Sequence, residues 1–260
     1  MTYHALRGRT RYPGAIDGRT IPSFSLSNIL LWYDFSDVST LFTDAGITNV
    51  MADSDKIYQV NDKSGNGYNG TQTTEGSRPL YKTAVKNGLS VGRFNGVSTT
   101  GSHFNITMSA ASGSFTMISC FYDNITGASY NNPRGIFDTE IGQLIFLRQT
   151  NVDLPTFGYY DGTYRNVGSI AHQVWEINSW VLNANISTGY CFRNGEQIGS
   201  SLPYSAKAIG GRVRLCAFQD TLSNYLLAAD VCEVLLYSSA LSDTNRQSVE
   251  AYLNSKWAIY

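Results

Sequence analysis

Twelve residues, Asn61 to Gln72 in the run NDKSGNGYNGTQ, gather an acid, a base, a serine, three glycines and three asparagines. Side chains of these types can cradle an anion, hold a cation or move a proton. The spacing is not that of a phosphate loop, which needs GxxxxGK followed by Ser or Thr and then a helix. As a turn the run makes sense. Asp62 can accept backbone N–H bonds, Asn66 suits a turn, and Gly65 and Gly67 reach positive φ at little cost. The run is therefore predicted to be a structural turn built on Asp62, Gly65, Asn66 and Gly67, with a ligand or calcium contact as the competing reading.

Acid–base chemistry has one candidate pair. Asp138 and Glu140 in FDTEIG stand two apart, so they would share a strand face, although DTEIG reads equally well as a turn. His4, His103 and His172 are dispersed, and no HExxH, GxSxG or paired metal motif occurs. Cys120, Cys191, Cys216 and Cys232 lie singly in apolar runs without metal-ligand spacing, which predicts buried free thiols. No catalytic residue and no metal site are predicted. The binding candidates are aromatic. TFGYYDGTYR sets Phe157, Tyr159, Tyr160 and Tyr164 around Asp161 and Gly162. Aromatic faces hold the apolar side of sugars while polar groups fix the hydroxyls. Tyr159, Tyr160, Asp161, Tyr164 and Arg165 are therefore the predicted glycan contacts. The plainer reading is a hairpin with aromatic cross-strand pairs. Residues 128–135, ASYNNPRG, are a second exposed-loop candidate, and Asn69, Asn105, Asn124 and Asn185 begin N-x-S/T runs taken as chance in an Asn-rich chain.

Elements that could position these residues follow from composition and pattern. The chain has 260 residues, a net charge of -1 and only 15% charged residues. Such a balance points to neither nucleic acid nor membrane, and no apolar run approaches a membrane span. Short runs rich in β-branched and aromatic residues, among them ILLWYDF, LSVGRF, SFTMISCFY, TFGYY, RVRLCAF and VCEVLLYS, alternate with Gly, Asn, Asp and Ser. SFTMISCFY is apolar on both faces, so it is expected to be central and covered on both sides. Asn194-Gly195 predicts a two-residue hairpin. One helix is predicted at the C-terminus, capped by Ser242, with Val249, Tyr252, Leu253 and Trp257 on its apolar side. It is expected to pack on the sandwich rim.

Residues 1–27 differ from the rest. Arg7, Arg9, Arg11 and Arg19 stand against one acid, Asp17, and glycines and prolines interrupt every window. We read an extended basic arm that docks on another protein through Arg7, Arg9, Arg11, Tyr12 and Ile16. The plainer reading is a disordered terminus.

The runs ILLWYDFSDVSTL, NDKSGNGYNGTQ, RPLYKT, GLSVGRFNGVS and EVLLYSSALSDTNRQSVEAYLNSKWAI, in that order, resemble the concanavalin A-like lectin/glucanase superfamily. More narrowly they look like the LamG-like modules of bacterial surface proteins and bacteriophage structural proteins. The resemblance spans about residues 28–259 and is strongest at its ends. It implies an all-β, two-sheet antiparallel jelly-roll sandwich over residues 28–260, followed by the helix and preceded by the arm. Two positions depart from the pattern. Val60 stands where such modules carry Trp, and Phe94-Asn95-Gly96 replaces Phe-Asp-Gly, so an amide stands where a carboxylate would help bind a cation. The expectation is no cofactor, with at most a weak structural calcium. Glycoside hydrolases of this broad fold carry Glu-x-Asp-x-(x)-Glu on one strand, and no such run exists here. The first functional expectation is a non-enzymatic virion protein of a tailed bacteriophage, a capsid decoration or tail-fibre component that adheres to host glycans. It would be made in the host cytoplasm without a signal peptide and would be oligomeric in the particle, docked to other virion proteins through the arm. The alternative is a carbohydrate-binding module of a bacterial surface system, and the third reading is a glycosidase of the same fold.

Overall fold

Phe115–Asp123 is apolar on both faces because it has cover on both sides, and the whole architecture can be read outward from it. A computed structural model describes residues 15–16, 19–20, 23–45, 48–50, 52–97, 101–124, 133–139, 144–149, 156–169, 172–217 and 226–260. Phe115–Asp123 lies inside one sheet whose order is Glu196–Gln197, Thr188–Arg193, Trp175–Asn183, Phe115–Asp123, Ala228–Tyr237, Leu89–Asn95 and Leu80–Lys86. Ile29–Asp34 and Leu89–Asn95 share one edge of Ala228–Tyr237: the first pairs its Glu233–Tyr237 half, the second its Ala228–Val231 half. The facing sheet runs Tyr164–Ser169, Thr156–Tyr160, Ile145–Gln149, Pro133–Asp138, Lys207–Leu215, Phe104–Gly113, Gly70–Thr71, Gln59–Val60 and Leu41–Phe42. The pairings are antiparallel throughout the two sheets. Asn194 and Gly195 both take positive φ between the partners Arg193 and Glu196, as the two-residue hairpin requires.

Two apolar layers result. Leu31, Tyr33, Phe35, Phe94, Phe104, Phe121 and Trp180 fill the space between the sheets. Ile118, Cys120, Ile177, Cys232 and Leu235 face the opposite way and are covered by Val249, Tyr252, Leu253 and Trp257 of the helix Asp243–Trp257. The helix therefore lies on the outer face of the first sheet, and not on the rim as its sequence suggested. The reason is the apolar outer face itself: Ala228–Tyr237 is also buried on both sides and needs a third layer. All four cysteines are free and buried.

A charged network fastens this helix. Lys256 Nζ donates to Asp34 Oδ2 at 2.8 Å and to Glu233 Oε1 at 2.6 Å. Glu233 also accepts from Trp32 Nε1 at 2.8 Å and Trp257 Nε1 at 2.9 Å. Packing also reaches back before residue 28: the Phe24 ring lies 5.4 Å from that of Trp32 and 4.6 Å from that of Tyr252. Of the arm residues, Arg7, Arg9, Arg11 and Tyr12 lie outside the described residues. Ile16 belongs to the short strand Ala15–Ile16, which pairs with Arg19–Thr20.

Candidate functional site

The Asn61–Gln72 run is turned inward. Asp62 Oδ1 accepts from Trp32 N and Ser64 N, both at 2.9 Å, and Oδ2 from Ser64 Oγ at 2.7 Å and Tyr68 N at 3.1 Å. The Asn66 amide donates to Ile29 O and Leu30 O at 2.9 Å, and Asn69 Oδ1 accepts from Asp62 N. Lys63 Nζ donates to Asp34 at 2.9 Å and Asp37 at 2.7 Å. A Cβ on Gly65 or Gly67 would meet nothing within 4 Å, so their φ of +90° and +76°, not lack of space, is what calls for glycine. The acid, the base and the amides clasp the strand Ile29–Asp34.

The tyrosine hairpin divides. The Tyr159 ring is buried between the sheets, and its hydroxyl donates to Pro203 O at 2.9 Å. Asp161, 2% exposed, accepts from Ser205 N at 2.7 Å, Arg165 Nε at 3.2 Å and Thr163 N at 3.3 Å. These contacts occupy Tyr159 and Asp161 within the fold, so as glycan contacts neither is available at the surface. Tyr160 and Tyr164 are direct cross-strand partners with ring centroids 4.9 Å apart, and Tyr164 is 44% exposed. They form the aromatic pair of an ordinary hairpin.

The titratable candidates do not converge either. Asp138 is buried in its strand, and Glu140 lies outside the described residues. His103 is buried, with Nδ1 3.0 Å from Gly101 O and Nε2 3.1 Å from Gln72 Nε2. Burial holds its pKa below the ordinary histidine value. His172 Nδ1 lies 2.8 Å from Asp123 Oδ2. Among the described residues no group of three or more His, Cys, Asp or Glu side chains is placed to hold a metal ion.

A cleft of about 400 Å³ opens where strands of the first sheet end. Leu80 and Phe94 supply apolar wall. Asn95 ends its strand, and there its side-chain Oδ1 accepts from Ser102 N at 2.9 Å while Ser102 Oγ accepts from Asn95 N at 3.0 Å. This reciprocal clamp closes the segment 95–102. Gly96 is required beneath it: with φ +61°, a Cβ would fall 2.6 Å from Ala228 N. Arg93 makes two 2.7 Å bonds to the Asp230 carboxylate. Lys56 bonds Glu75 at 2.9 Å and holds its pKa below the ordinary glutamate value, and Arg78 lies 4.9 Å over the Tyr58 ring. Asn124 is fixed by its backbone N–H to Ala228 O at 2.9 Å. Its side-chain Nδ2 is buried yet makes no hydrogen bond among the described residues. Buried donors are rarely left so. The cleft thus combines an apolar wall with amide and guanidinium donors and hydroxyl and carboxylate acceptors, the mixture that fits a polyhydroxylated ligand. Sequence marked Asn95 only as a lost carboxylate and Asn124 only as a chance sequon.

No known sequence family matches the chain, and no curated protein matches it. Solved structures do. The binding domain of Paraclostridial Mosquitocidal Protein 1 superposes with a TM-score of 0.60 at 12% identity, over 88% of this chain and 53% of that one. Domain 4 of AbnA, a GH43 extracellular arabinanase from Geobacillus stearothermophilus solved with arabinotriose, gives 0.54 at 12% identity over 86% and 98%. The binding domain of botulinum neurotoxin serotype G gives 0.52 at 12% identity over 86% and 50%. What is shared is the fold. The chain is a jelly-roll β-sandwich, as expected, and it spans about half the length of the two toxin binding domains.

Proposed function

We propose that this domain binds carbohydrate without transforming it, and that the Asn95–Asn124 cleft is where it does so. The observation that carries the reading is Asn124 Nδ2, a buried amide donor left without a partner among the described residues, beside an apolar wall. A sugar hydroxyl would supply the missing acceptor while the C–H face of the ring covers Leu80. The cleft volume lies within the roughly 300–1,000 Å³ of small-molecule sites. The fold likeness to an arabinanase domain solved with arabinotriose supports the same class of ligand. The test is a glycan array followed by calorimetric titration of the bound sugar. Asn124→Ala should weaken binding at least about tenfold, one hydrogen bond to a desolvated partner. Wild-type protein that retains no saccharide on the array, or an Asn124→Ala variant with full affinity, would overturn the reading.

A narrower second reading puts the domain on a virus particle as an adhesion or decoration protein. It is favoured by the alternation of Arg7, Arg9 and Arg11, which would present three guanidinium groups to one acidic surface of a partner. Co-sedimentation of the full chain with purified particles tests it, and absence from particles would end it.

A further inference from the structure

We propose that the binding surface continues from the cleft across the outer face of the first sheet to Tyr122 and Trp175, which form a second subsite stacking another ring of the same oligosaccharide. This rests on the carbohydrate reading above and adds the length and path of the ligand.

The register places the two regions on one row. Leu80 pairs with Arg93, Arg93 with Asp230, Asp230 with Tyr122, and Tyr122 with Trp175. Direct partners in antiparallel strands project to the same face. That face is the outer one, because the adjacent Tyr81, Phe94, Val231 and Phe121 all belong to the core between the sheets. Tyr122 and Arg93 are separated by two strand spacings, about 10 Å, which is wider than one pyranose. Arg93 joins the two parts. It lines the cleft, its side chain is 40% exposed, and its bidentate bond to Asp230 holds the guanidinium on the row.

The aromatic pair has the character of a platform. Tyr122 and Trp175 have ring centroids 5.2 Å apart, and both are half-buried. Lys86 Nζ stands 5.7 Å from the Trp175 ring. The chain has four tryptophans. Trp32 and Trp257 give their indole N–H to Glu233, and Trp180 gives its own to Gly158 O at 2.7 Å. Trp175 makes no such bond among the described residues, and neither does the Tyr122 hydroxyl. Trp175 does pack against the helix layer. That packing explains an apolar side chain at this position, but not an indole and a phenol whose polar groups both lack a partner among the described residues. An aromatic pair with two polar handles unpartnered among the described residues fits a sugar ring, whose C–H face stacks while its hydroxyls bond the edges.

The experiment titrates a panel of arabino-, xylo-, gluco- and galacto-oligosaccharides of one to four units into wild-type, Trp175→Ala, Trp175→Phe and Tyr122→Ala proteins. It follows both heat and tryptophan emission. For the sugar type that binds, wild-type affinity should rise roughly tenfold between one unit and three, about 1.4 kcal/mol. Trp175→Ala and Tyr122→Ala should abolish that gain and leave the single unit unchanged, while Trp175→Phe keeps most of it. Emission should shift with the longer ligands and not with the monosaccharide. Equal loss for all lengths, or no loss in any variant, overturns the second subsite while leaving the cleft standing. Failure of every saccharide to bind overturns both.

Discussion

Asp62 and Asn124 are both polar residues just past the end of a strand, and the fold treats them in opposite ways. Asp62 holds three backbone N–H groups, from Trp32, Ser64 and Tyr68. Asp62→Ala leaves those donors unanswered in a half-buried loop, so we expect a loss of roughly 2–3 kcal/mol in urea unfolding. Unchanged stability would mean that the run is not the clasp described here. Asn124 Nδ2 answers nothing among the described residues, so Asn124→Ala should cost no stability and can raise it by about 1 kcal/mol even as it loses sugar. A drop of more than that would make Asn124 a structural residue. Tyr159 separates folding from binding in the other direction. Its ring is part of the core, so Tyr159→Ala should cost about 3–5 kcal/mol and weaken binding only through lost fold. Native-like stability in that variant would return Tyr159 to the surface. Both Tyr159 and Tyr160 were expected at the ligand, yet period-two alternation lets only one of them face outward. What the sequence does not carry is which one, because that depends on where the facing sheet lies.

At the scale of elements the helix Asp243–Trp257 is held by a buried charged network as well as by apolar contact. Burial opposes ionisation of Asp34, but the Lys256 and Lys63 ammonium groups outweigh it and bring its pKa down to about 2. For Glu233 burial and the nearby Asp34 win, and its pKa is raised despite Lys256. The two therefore act with opposite sign on stability. The Asp34 contribution is present above the unfolded pKa of about 3.9 and is lost as pH falls toward 2. The Glu233 contribution is present below about 4.3 and is lost as pH rises through its higher folded value. Lys256→Met removes the cation they share. It should cost about 3–5 kcal/mol at pH 7 by stranding two buried carboxylates. Both carboxyl pKa values then rise, the folded state binds protons more tightly than the unfolded one, and the deficit should shrink between pH 7 and pH 4.5. Denaturant titrations at the two pH values decide it: a deficit that is constant, or larger at pH 4.5, rules the network out as the helix fastener. Ser242 Oγ accepts from Asn245 N at 3.4 Å, and Ser242→Ala should cost only about 1 kcal/mol. The helix and its cap were readable from local pattern. Its seat was not, since an apolar stripe says that a helix packs and leaves open against which surface. The clue lay elsewhere, in two strands too apolar to have a wet face.

Across the whole molecule, strands and turns were legible where chemistry is local, as in the alternating runs and at Asn194-Gly195. The cleft was not, because Asn95 and Asn124 stand 29 positions apart and meet only after Ala228–Tyr237 is threaded between their strands. The boundary of the domain is likewise a question of packing rather than composition. Residues 1–27 read as one arm, yet Phe24 sits between Trp32 and Tyr252, Tyr237 Oη donates to Ser25 O at 3.2 Å, and Ile29 N donates to Leu26 O at 3.2 Å. Two truncations therefore differ in kind. Deleting residues 1–22 leaves Phe24 in place, and the remaining chain should unfold at the wild-type urea midpoint and bind sugar unchanged. Deleting residues 1–26 removes a ring from the layer between sheet and helix, and should cost about 3–5 kcal/mol, the scale of a buried Phe→Ala change. The same pair of proteins sharpens the particle reading. If residues 1–22 dock the domain on a virion, the shorter deletion abolishes co-sedimentation with no change in stability, so lost association cannot be blamed on lost fold. Equal midpoints for the two truncations would show that Phe24 contributes nothing to the domain, and undiminished co-sedimentation of the 1–22 deletion would show that those residues are not what docks.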